Sequence, residues 1–314
     1  MKAIALYELG GPEVLEPVEL PAPRPGRGEV RVRVRAAAVN AADTGVRTGM
    51  FLAPGEEPAF PLVPGMEAAG VIDEAGPGVA GRHVGEAVMA LVVPKGPHGA
   101  YAEQVVISED AVAAVPAGAD FPAAATLPMN GLTALMALDQ LALTPGQTLG
   151  VTGAAGAVGG YLVQLAVAAG LRVVADASEA DTGLVRGLGA HVVVARGAGV
   201  AEAMRRATGG EGVDGLADCA AQNERAVPAV RDGGAMATLR YWDGRPGRGV
   251  ILHTVMVSAY GEVAAGLDAL RAYTERGVLT PRVAETLAPE DAGLAHRRLE
   301  AGGVRGRMVL VFEA

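Results

Sequence analysis

A glycine-rich turn between an apolar strand and an apolar helix is the feature of this sequence that most restricts its fold. The stretch TLGVTGAAGAVGG occupies residues 148–160. A short apolar run followed by a glycine turn and a helix is typical of the first βα unit of a parallel sheet. Because strands and helices continue to alternate, we predict a doubly wound parallel α/β sheet. The further apolar strands are expected near residues 171–176, 213–219, 235–240 and 250–257.

The first third of the chain has a different pattern. In GEVRVRVRA, residues 28–36, valine and arginine alternate, which is the period-two pattern of a half-exposed strand. Short runs bounded by glycine or proline follow, and they predict a compact β-barrel. A chain of 314 residues is long enough for two domains. We predict a β-rich domain formed by residues 1–121 and 282–314, and an α/β domain formed by residues 122–281.

Composition excludes several classes of function. The formal net charge is −9, whereas proteins that bind nucleic acid or membrane surfaces need a basic face. No uninterrupted apolar run reaches the roughly 18 residues of a membrane-spanning helix. The opening MKAIALYELGG also lacks the pattern of a signal peptide. We therefore expect a soluble cytoplasmic protein without nucleic-acid or membrane partners.

Reactive side chains are scarce. None of the three serines lies in a G-x-S-x-G motif, and only two lysines are present. The five histidines include no pair at metal-ligand spacing, and a single cysteine excludes a cysteine-rich zinc site. That cysteine, Cys219, lies in an apolar run, where a packed strand thiol is the common case. What remains is chemistry that a bound cofactor carries and the protein positions, such as hydride transfer.

The glycine turn itself predicts a dinucleotide site. Backbone N–H groups at the start of the following helix can face a pyrophosphate, and the helix dipole favours the anion. Gly156 permits a close approach of the backbone, and Gly159 permits close packing of helix on strand. With Gly153 they form a G-x-x-G-x-x-G spacing, in which Ala154 stands where the usual fingerprint has its first glycine. A tight turn without a ligand is the alternative interpretation.

Several motifs, in order along the chain, resemble those of the zinc-independent quinone oxidoreductases of the medium-chain dehydrogenase/reductase superfamily. The resemblance covers nearly the whole chain. It implies a GroES-like β-barrel built from the first third and the last strands, a Rossmann doubly wound parallel sheet, and a homodimer. The motifs are MKAIALYELGGPEVL, AAAVNAADTGVRTGMF, PLVPGMEAAGVI, GAYAEQVV, ATLPMNGLTALMAL, VTGAAGAVGGYLVQLA and VRGRMVLVF.

Four departures from family patterns shape the expected site. Zinc-dependent relatives have a cysteine near Asn40 and a histidine where this chain has Met66. The resemblance therefore implies that no metal is bound. Many relatives have a tyrosine where this chain has Gly45, and several have another where it has Phe51. These two replacements predict a roomier active site without a phenolic proton donor.

The resemblance also implies positions for the site residues. Asn40, Asp43 and Thr44 of VNAADT are expected beside the nicotinamide. Thr133 of GLTAL is expected near the carboxamide, and Arg307 near the cofactor. We assign catalytic roles to Asn40, Asp43 and Thr133; turn formation by the first two and a backbone hydrogen bond by Thr133 are the alternatives. The predicted cofactor contacts are Thr44, Ala154, Ala155, Gly156, Ala157, Val158, Asp176, Ala177, Ser178, Arg196, Cys219, Leu239, Arg240, Val255, Val257 and Arg307.

The cofactor is predicted to be NADPH rather than NADH. Asp176 lies about 20 residues after Gly156, where an acid would hold the ribose hydroxyls of NAD. The family register instead puts Ala177 at the position of the acid, with Asp176 on the opposite face of the strand. Ser178 suits a 2′-phosphate, and Arg196 could supply positive charge. Because the lysine and tyrosine of many NADP-binding relatives are absent, the orientation of Asp176 decides between the two cofactors.

The leading hypothesis is NADPH-dependent hydride transfer to a quinone or to the β-carbon of an α,β-unsaturated carbonyl. These acceptors are electron-poor and need no metal to polarise them, so the protein contributes mainly proximity and orientation. One alternative is an enoyl reductase of polyketide or other secondary metabolism. Another is a cofactor-binding protein with little turnover.

Overall fold

The structure is a computed structural model that describes residues 1–53 and 55–313. The chain divides into two compact units. Unit 1 consists of Met1–Met129, Glu262–Glu275 and Pro281–Ala314, and unit 2 of Asn130–Gly261 and Arg276–Thr280. The domain boundaries predicted from sequence stay predictions.

Fifteen strands and eight α-helices make up the described chain. The strands of the first third are β1 (Lys2–Ala5), β2 (Glu16–Glu19), β3 (Glu29–Ala38), β4 (Glu67–Ala75), β5 (Ala87–Leu91), β6 (Gln104–Ser108) and β7 (Val112–Ala114). Those that follow are β8 (Thr148–Thr152), β9 (Arg172–Ala177), β10 (Val192–Ala195), β11 (Val213–Asp218), β12 (Val230–Thr238), β13 (Ile251–Thr254), β14 (Val283–Leu287) and β15 (Arg307–Val311). The helices are α1 (Ala41–Thr48), α2 (Phe121–Ala124), α3 (Pro128–Leu141), α4 (Ala157–Ala168), α5 (Thr182–Gly187), α6 (Val200–Ala207), α7 (Val263–Glu275) and α8 (Ala292–Ala301).

Unit 1 is built on a seven-stranded sheet in the order β14-β15-β3-β4-β5-β7, with β6 also paired to β3. Strand β15 returns from the end of the chain to pair antiparallel with β3. The valines of β3 are buried in the core, whereas Arg31 and Arg33 both lie near Asp73, with N–O distances of 2.7 and 3.9 Å. The alternating pattern of β3 therefore has the predicted effect: one face packs and the other is charged.

Unit 2 contains a six-stranded sheet in the order β10-β9-β8-β11-β12-β13. Every neighbouring pair in it is parallel. Helices α4, α5 and α6 each connect one strand to the next along the chain. The carboxyl ends of all six strands consequently meet at one edge, where ligands bind in sheets of this kind. The predicted doubly wound parallel sheet is confirmed.

The glycine turn joins β8 to α4. Gly153 adopts a φ of 66°, in the left-handed region that favours glycine. A Cβ atom on Gly159 would lie 2.3 Å from the carbonyl oxygen of Gly153, which is backbone that cannot swing aside. The first turn of α4 thus packs directly on the glycine turn, which agrees with the packing role expected of Gly159.

One helical stretch of the described chain, Phe121–Leu141, is long and apolar enough to cross a membrane by length and composition alone. However, 67% of its most apolar window is buried inside the fold, as in the core helix of a globular protein. The stretch is therefore weak evidence for a membrane span.

Candidate functional site

The sequence-predicted site residues fall in both units. Asn40, Asp43, Thr44 and Arg307 belong to unit 1, and the other predicted residues belong to unit 2. In each unit they lie among buried polar groups.

Asp176 lies beneath the glycine turn of unit 2. Its side chain is almost wholly buried, and its Oδ1 accepts hydrogen bonds from the backbone N–H of Gly153, at 2.7 Å, and of Ala154, at 3.3 Å. Its Oδ2 has no hydrogen-bond partner among the described residues. Burial raises the pKa of this carboxyl, and the two turn amides and the charge of Arg196 lower it. Asp176 therefore braces the turn, and its bonded oxygen is already engaged with the backbone.

The residues of the turn present backbone rather than side chains. Ala154, Ala155 and Ala157 are buried, and Gly156 is the N-cap of α4 in an extended conformation. Val158 follows in the first turn of the helix, whose leading N–H groups have no intrahelical carbonyl partner. Such a helix start is suited to an anion such as a pyrophosphate.

The carboxyl ends of β9 and β10 bring three predicted residues together. The backbone N–H of Arg196 donates to the carbonyl of Ala177 at 2.9 Å. Ser178 follows Ala177, and its hydroxyl donates to the carboxylate of Asp181. Asp181 is buried and was missed by the sequence interpretation. The available signal was the S-x-x-D spacing at the start of a helix, which is similar to the spacing of a capping box.

Cys219 lies directly after β11, beside the glycine turn. A Cβ on Gly153 would be 3.2 Å from the backbone carbonyl of Cys219. Burial raises the pKa of its thiol well above the usual value, and the charges of Asp218 and Asp176 raise it further. The thiol is therefore protonated at neutral pH and is a poor nucleophile. Any contact of Cys219 with a cofactor would be by packing.

The remaining predicted residues of unit 2 follow β12 and β13 or lie in α3. Leu239 and Arg240 come directly after β12, and Val255 and Val257 come after β13. The two segments are joined, because the N–H of Val255 donates to the carbonyl of Thr238 at 2.9 Å. Thr133 is buried within α3. All four post-strand residues lie at the ligand-binding edge of the sheet.

Asn40 and Asp43 begin helix α1 of unit 1. Both are buried, and the carboxylate Oδ2 of Asp43 accepts the backbone N–H of Asn40 at 2.7 Å. This is the acid-to-N-cap half of a capping box, so both residues help to form the turn into α1, and their catalytic roles stay predictions. The side-chain amide of Asn40 donates to Oε1 of Glu67 at 2.8 Å. Thr44 donates its hydroxyl to the carbonyl of Ala41 at 2.7 Å, within the same helix.

Glu67 is a buried acid that the sequence interpretation missed. Its Oε2 accepts the N–H of Met129 at 2.8 Å. Burial raises the pKa of Glu67 to about 7, and it also raises that of Asp43 to about 7. The charge of Arg307 lowers both pKa values. A signal was present: an acid at the start of an apolar strand, after Met66, with no polar residue beside it to explain its position.

Two aromatic residues change the expected site. Tyr101 places a phenol beside Asp43, with its hydroxyl 3.2 Å from Oδ2, and the absence of a phenolic proton donor to the substrate stays a prediction. Phe51 lies against α1, because a Cβ on Gly45 would be 2.8 Å from its ring. The Phe51 ring therefore occupies the space beside Gly45, and a roomier active site stays a prediction.

No group of three or more histidine, cysteine, aspartate or glutamate side chains is arranged for a metal ion within the described ranges. Met66 is almost buried and offers a thioether where zinc-dependent relatives have a histidine. Asn40 is engaged with a carboxylate through its amide.

Comparison with protein families gives two matches. The description "Alcohol dehydrogenase GroES-like domain" matches residues 26–117, and "Zinc-binding dehydrogenase" matches residues 188–310. The first match lies in unit 1, and the second covers parts of both units.

Curated relatives resemble the chain over different lengths. A 2-haloacrylate reductase from Burkholderia sp is 30% identical over 336 residues, covering 99% of both proteins. A quinone oxidoreductase from Sus scrofa is 28% identical, covering 99% of this chain and 98% of the relative. A pikromycin polyketide synthase component from Streptomyces venezuelae is 39% identical over 62% of this chain, which spans only 5% of that synthase.

The fold matches solved structures along the whole chain. A mycobacterial protein solved as a complex with NADPH has a TM-score of 0.89 and 29% sequence identity, with coverage of 99% of this chain and 100% of the other.

Proposed function

Because the chain belongs to the quinone oxidoreductase branch of the medium-chain dehydrogenase/reductase superfamily, we propose that it transfers a hydride from NADPH to a quinone or an α,β-unsaturated carbonyl. An oxidoreductase with a GroES-like domain and a Rossmann sheet follows from the family itself. The observation that carries the finer proposal is a glycine turn braced by a buried acid, in a chain similar along nearly its full length to a quinone oxidoreductase and a 2-haloacrylate reductase.

The turn fits a dinucleotide. The N–H groups of Ala157 and Val158, at the start of α4, would hold the pyrophosphate. The N–H groups of Ala154 and Gly156 already donate to Asp176 and to the carbonyl of Gly153, so Ala154, Ala155 and Gly156 would contact the pyrophosphate by packing. When bound, NADPH supplies the hydride. The chain's own residues bind it, orient it and exclude water.

The preference for NADPH rests on what lies near Asp176. Its Oδ1 braces the turn and its Oδ2 is buried, so neither oxygen is exposed to hold the ribose hydroxyls of NAD. Arg196 and Ser178 offer a charge and a hydroxyl for a 2′-phosphate. The carboxylate of Asp181 already accepts the Ser178 hydroxyl, so we assign the larger share of the discrimination to Arg196. The similarity to a protein solved with NADPH supports the same preference.

Asn40, Asp43 and Thr133 are the proposed catalytic residues. The amide of Asn40 is held by Glu67, and its backbone is held by Asp43, so its orientation is fixed before any ligand binds. Such preorganised polar groups orient the reacting rings at little entropic cost. Quinones and enones need no metal to accept a hydride, and protonation of the product can come from water. Thr44, Cys219, Leu239, Arg240, Val255, Val257 and Arg307 remain proposed cofactor contacts.

The test is oxidation of NADPH by the purified protein with a small quinone and with 2-chloroacrylate. We expect turnover with at least one of the two acceptors and a preference for NADPH over NADH. Arg196→Ala should raise the KM for NADPH about tenfold and leave that for NADH unchanged, since it removes one charge-assisted contact. Intact cofactor binding without turnover on any quinone or enone would contradict the proposal and favour a cofactor-binding protein with little turnover.

An enoyl reductase of polyketide or other secondary metabolism is the second candidate. The local similarity to a polyketide synthase component favours it. Activity on enoyl thioesters without activity on free quinones would identify this function.

We also propose a homodimer formed through β13, with the cytoplasm as the expected location. Strand β13 ends the sheet order, and Ile251 on it is 57% exposed. A strand at a sheet edge offers unpaired backbone groups to a second copy. Ile251→Lys should halve the apparent mass on light scattering if this edge forms the interface, and a monomeric parent protein would contradict the proposal.

A further inference from the structure

A row of buried side chains in unit 1 leads from Arg47 of α1 through His296 of α8 to Asp43. Nη1 of Arg47 lies 3.2 Å from Nδ1 of His296, and Nε2 of His296 lies 3.1 Å from the hydroxyl of Tyr101. The same hydroxyl lies 3.2 Å from Oδ2 of Asp43. All four residues are at most 2% exposed. The four residues form a continuous hydrogen-bonded chain, which we call the Arg47–Asp43 chain.

Chemistry gives the Arg47–Asp43 chain one direction. A guanidinium only donates hydrogen bonds, so Nδ1 of His296 must accept. The neutral imidazole then carries its proton on Nε2 and donates to the Tyr101 oxygen, which leaves the phenolic proton for Asp43. Burial and the charge of Arg47 lower the pKa of His296 to about 3, so the ring stays neutral. Every bond in the chain thus points towards the carboxylate.

The Arg47 end of the Arg47–Asp43 chain is anchored by two further hydrogen bonds. Nε of Arg47 donates to the carbonyl of Gly10 at 3.0 Å, and Nη2 donates to Glu300 at 2.5 Å. Glu300 is partly exposed, so the positive charge of Arg47 is neutralised at the surface while its other donors are used inside. With Arg47 held by Gly10 and Glu300, His296 has a single tautomer and orientation.

We propose that Arg47, His296 and Tyr101 are positioning residues, which hold the Asp43 carboxylate against the Asn40 backbone and thereby preorganise the hydride-transfer site. None of the three is required to touch a substrate. The proposal rests on the proposed function for the identity of the site, but not for its effect on Asp43.

The pKa of Asp43 measures whether the Arg47–Asp43 chain is intact. Its carboxyl is faced by the Asn40 and Gly65 backbones and the Tyr101 hydroxyl, and the nearest charges are those of Arg307 and Glu67. Burial holds its pKa at about 7, so both protonation states are accessible near neutral pH. Loss of the Tyr101 donor destabilises the carboxylate form and raises the pKa further.

The test is a carboxyl NMR titration of protein labelled with ¹³C-aspartate, with Asp43→Asn used to assign the signal. Tyr101→Phe should raise the pKa of Asp43 by about one to two units, the value of a hydrogen bond to a charged group. His296→Leu should raise it in the same direction, and His296→Gln, which keeps a neutral donor, should restore most of the parent value. Tyr7→Phe, the same change at an exposed tyrosine of unit 1, should leave the pKa unchanged.

Enzyme kinetics distinguish a positioning role of Tyr101 from a role in stability alone. In Tyr101→Phe, the pH limb of kcat/KM should move with the Asp43 pKa, while the Kd for NADPH stays unchanged. A lower melting temperature with an unmoved Asp43 pKa would overturn the proposal, because it would show a purely structural role. A shifted pKa in a protein without turnover would support the positioning role and contradict the proposed function alone. Tyr101→Phe keeps the ring, so the test does not depend on whether His296→Leu folds.

Discussion

Gly45 and Phe51 are coupled at the scale of single residues. Gly45 lies in the middle of α1, where glycine is a weak helix former, yet a Cβ there would meet the Phe51 ring at 2.8 Å. Phe51 is 57% exposed, so its ring can move at modest cost. An alanine at position 45 would therefore stabilise the helix through its higher helix propensity, but it would also displace the Phe51 ring.

We expect Gly45→Ala to be nearly neutral in the parent protein and to stabilise a Phe51→Ala background by about 1 kcal/mol. In the second background the methyl group meets no ring, so the gain in helix propensity is not offset. Urea unfolding of the four proteins in a double-mutant cycle measures the coupling. Equal effects of Gly45→Ala in both backgrounds would contradict the observed packing.

Asp176 shows how one carboxylate can order a turn. Two backbone donors depend on its Oδ1, at Gly153 and Ala154. Asp176→Ala should lower the free energy of unfolding by about 2 kcal/mol and weaken NADPH binding, because it leaves buried N–H groups unsatisfied. Asp176→Asn keeps an acceptor oxygen, so it should lower the free energy of unfolding and the affinity for NADPH by less. Denaturant unfolding and fluorescence titration with NADPH check both, and equal losses in the two variants would count against the bracing role.

At the scale of elements, the glycine turn and α4 form one packed unit. The carbonyl of Gly153 lies where a side chain at Gly159 would be, so the helix can start close to the strand only with glycine at that position. This close packing orients the leading N–H groups of α4 at the ligand edge of the sheet.

Gly159→Ala should destabilise the protein by about 3 kcal/mol and abolish high-affinity NADPH binding, since backbone must move to admit the methyl group. The control is Gly187→Ala in α5, where a Cβ would meet nothing within 4 Å. That change should be neutral or stabilise by up to about 1 kcal/mol. Thermal unfolding and cofactor titration of both variants provide the comparison, and a well-tolerated Gly159→Ala would refute the packing argument.

At the scale of the whole molecule, buried titratable groups make stability depend on pH. The pKa values of Asp43 and Glu67 are raised from 3.8 and 4.5 to about 7. Their contribution to stability is complete below the unfolded-state pKa values and is lost as the pH rises through about 7. The pKa of His296 is lowered from 6.5 to about 3, so its contribution is present above 6.5 and is lost as the pH falls towards 3.

Above about pH 6.5 the two carboxyls of the folded protein bind more protons than the His296 imidazole of the unfolded chain, so the melting temperature should fall between pH 6.5 and about 8. Glu67→Gln removes one of the two titrating groups and should make this decline shallower, whatever its effect on absolute stability. Differential scanning fluorimetry across this pH range measures both slopes. Parallel curves for the two proteins would show that Glu67 does not keep a raised pKa in the folded state.

Much of the fold could be predicted from local patterns. The alternation of Val30 and Arg31 predicted a half-buried strand, and the βα rhythm around Gly156 predicted the parallel sheet. Both signals arise from short-range geometry, because period-two and helical repeats are set by the backbone of each element alone. The family could also be identified from the sequence, because each of its motifs is a contiguous segment and the motifs occur in the expected order along the chain.

The candidate site was only partly predictable. The motifs point to Asn40, Asp43 and Asp176 as candidates, but not to four buried residues that the structure places beside predicted ones or in their hydrogen-bonded chains: Glu67, Tyr101, Asp181 and His296. Of these, Glu67 and Tyr101 act on residues 27 and 58 positions away, and His296 meets Arg47 across 249 positions. No periodic pattern carries such pairings.

The sequence by itself determined the elements, the sheet class, the glycine turn and the family. Only the tertiary structure decided that Asp176 braces the turn, that Phe51 fills the space beside Gly45, and that Asp43 ends a chain of buried donors. The physical reason is that hydrogen bonding and burial depend on which distant groups meet. The same type of side chain, a carboxylate, caps a helix, braces a turn or titrates near neutral pH according to the donors and the solvent around it.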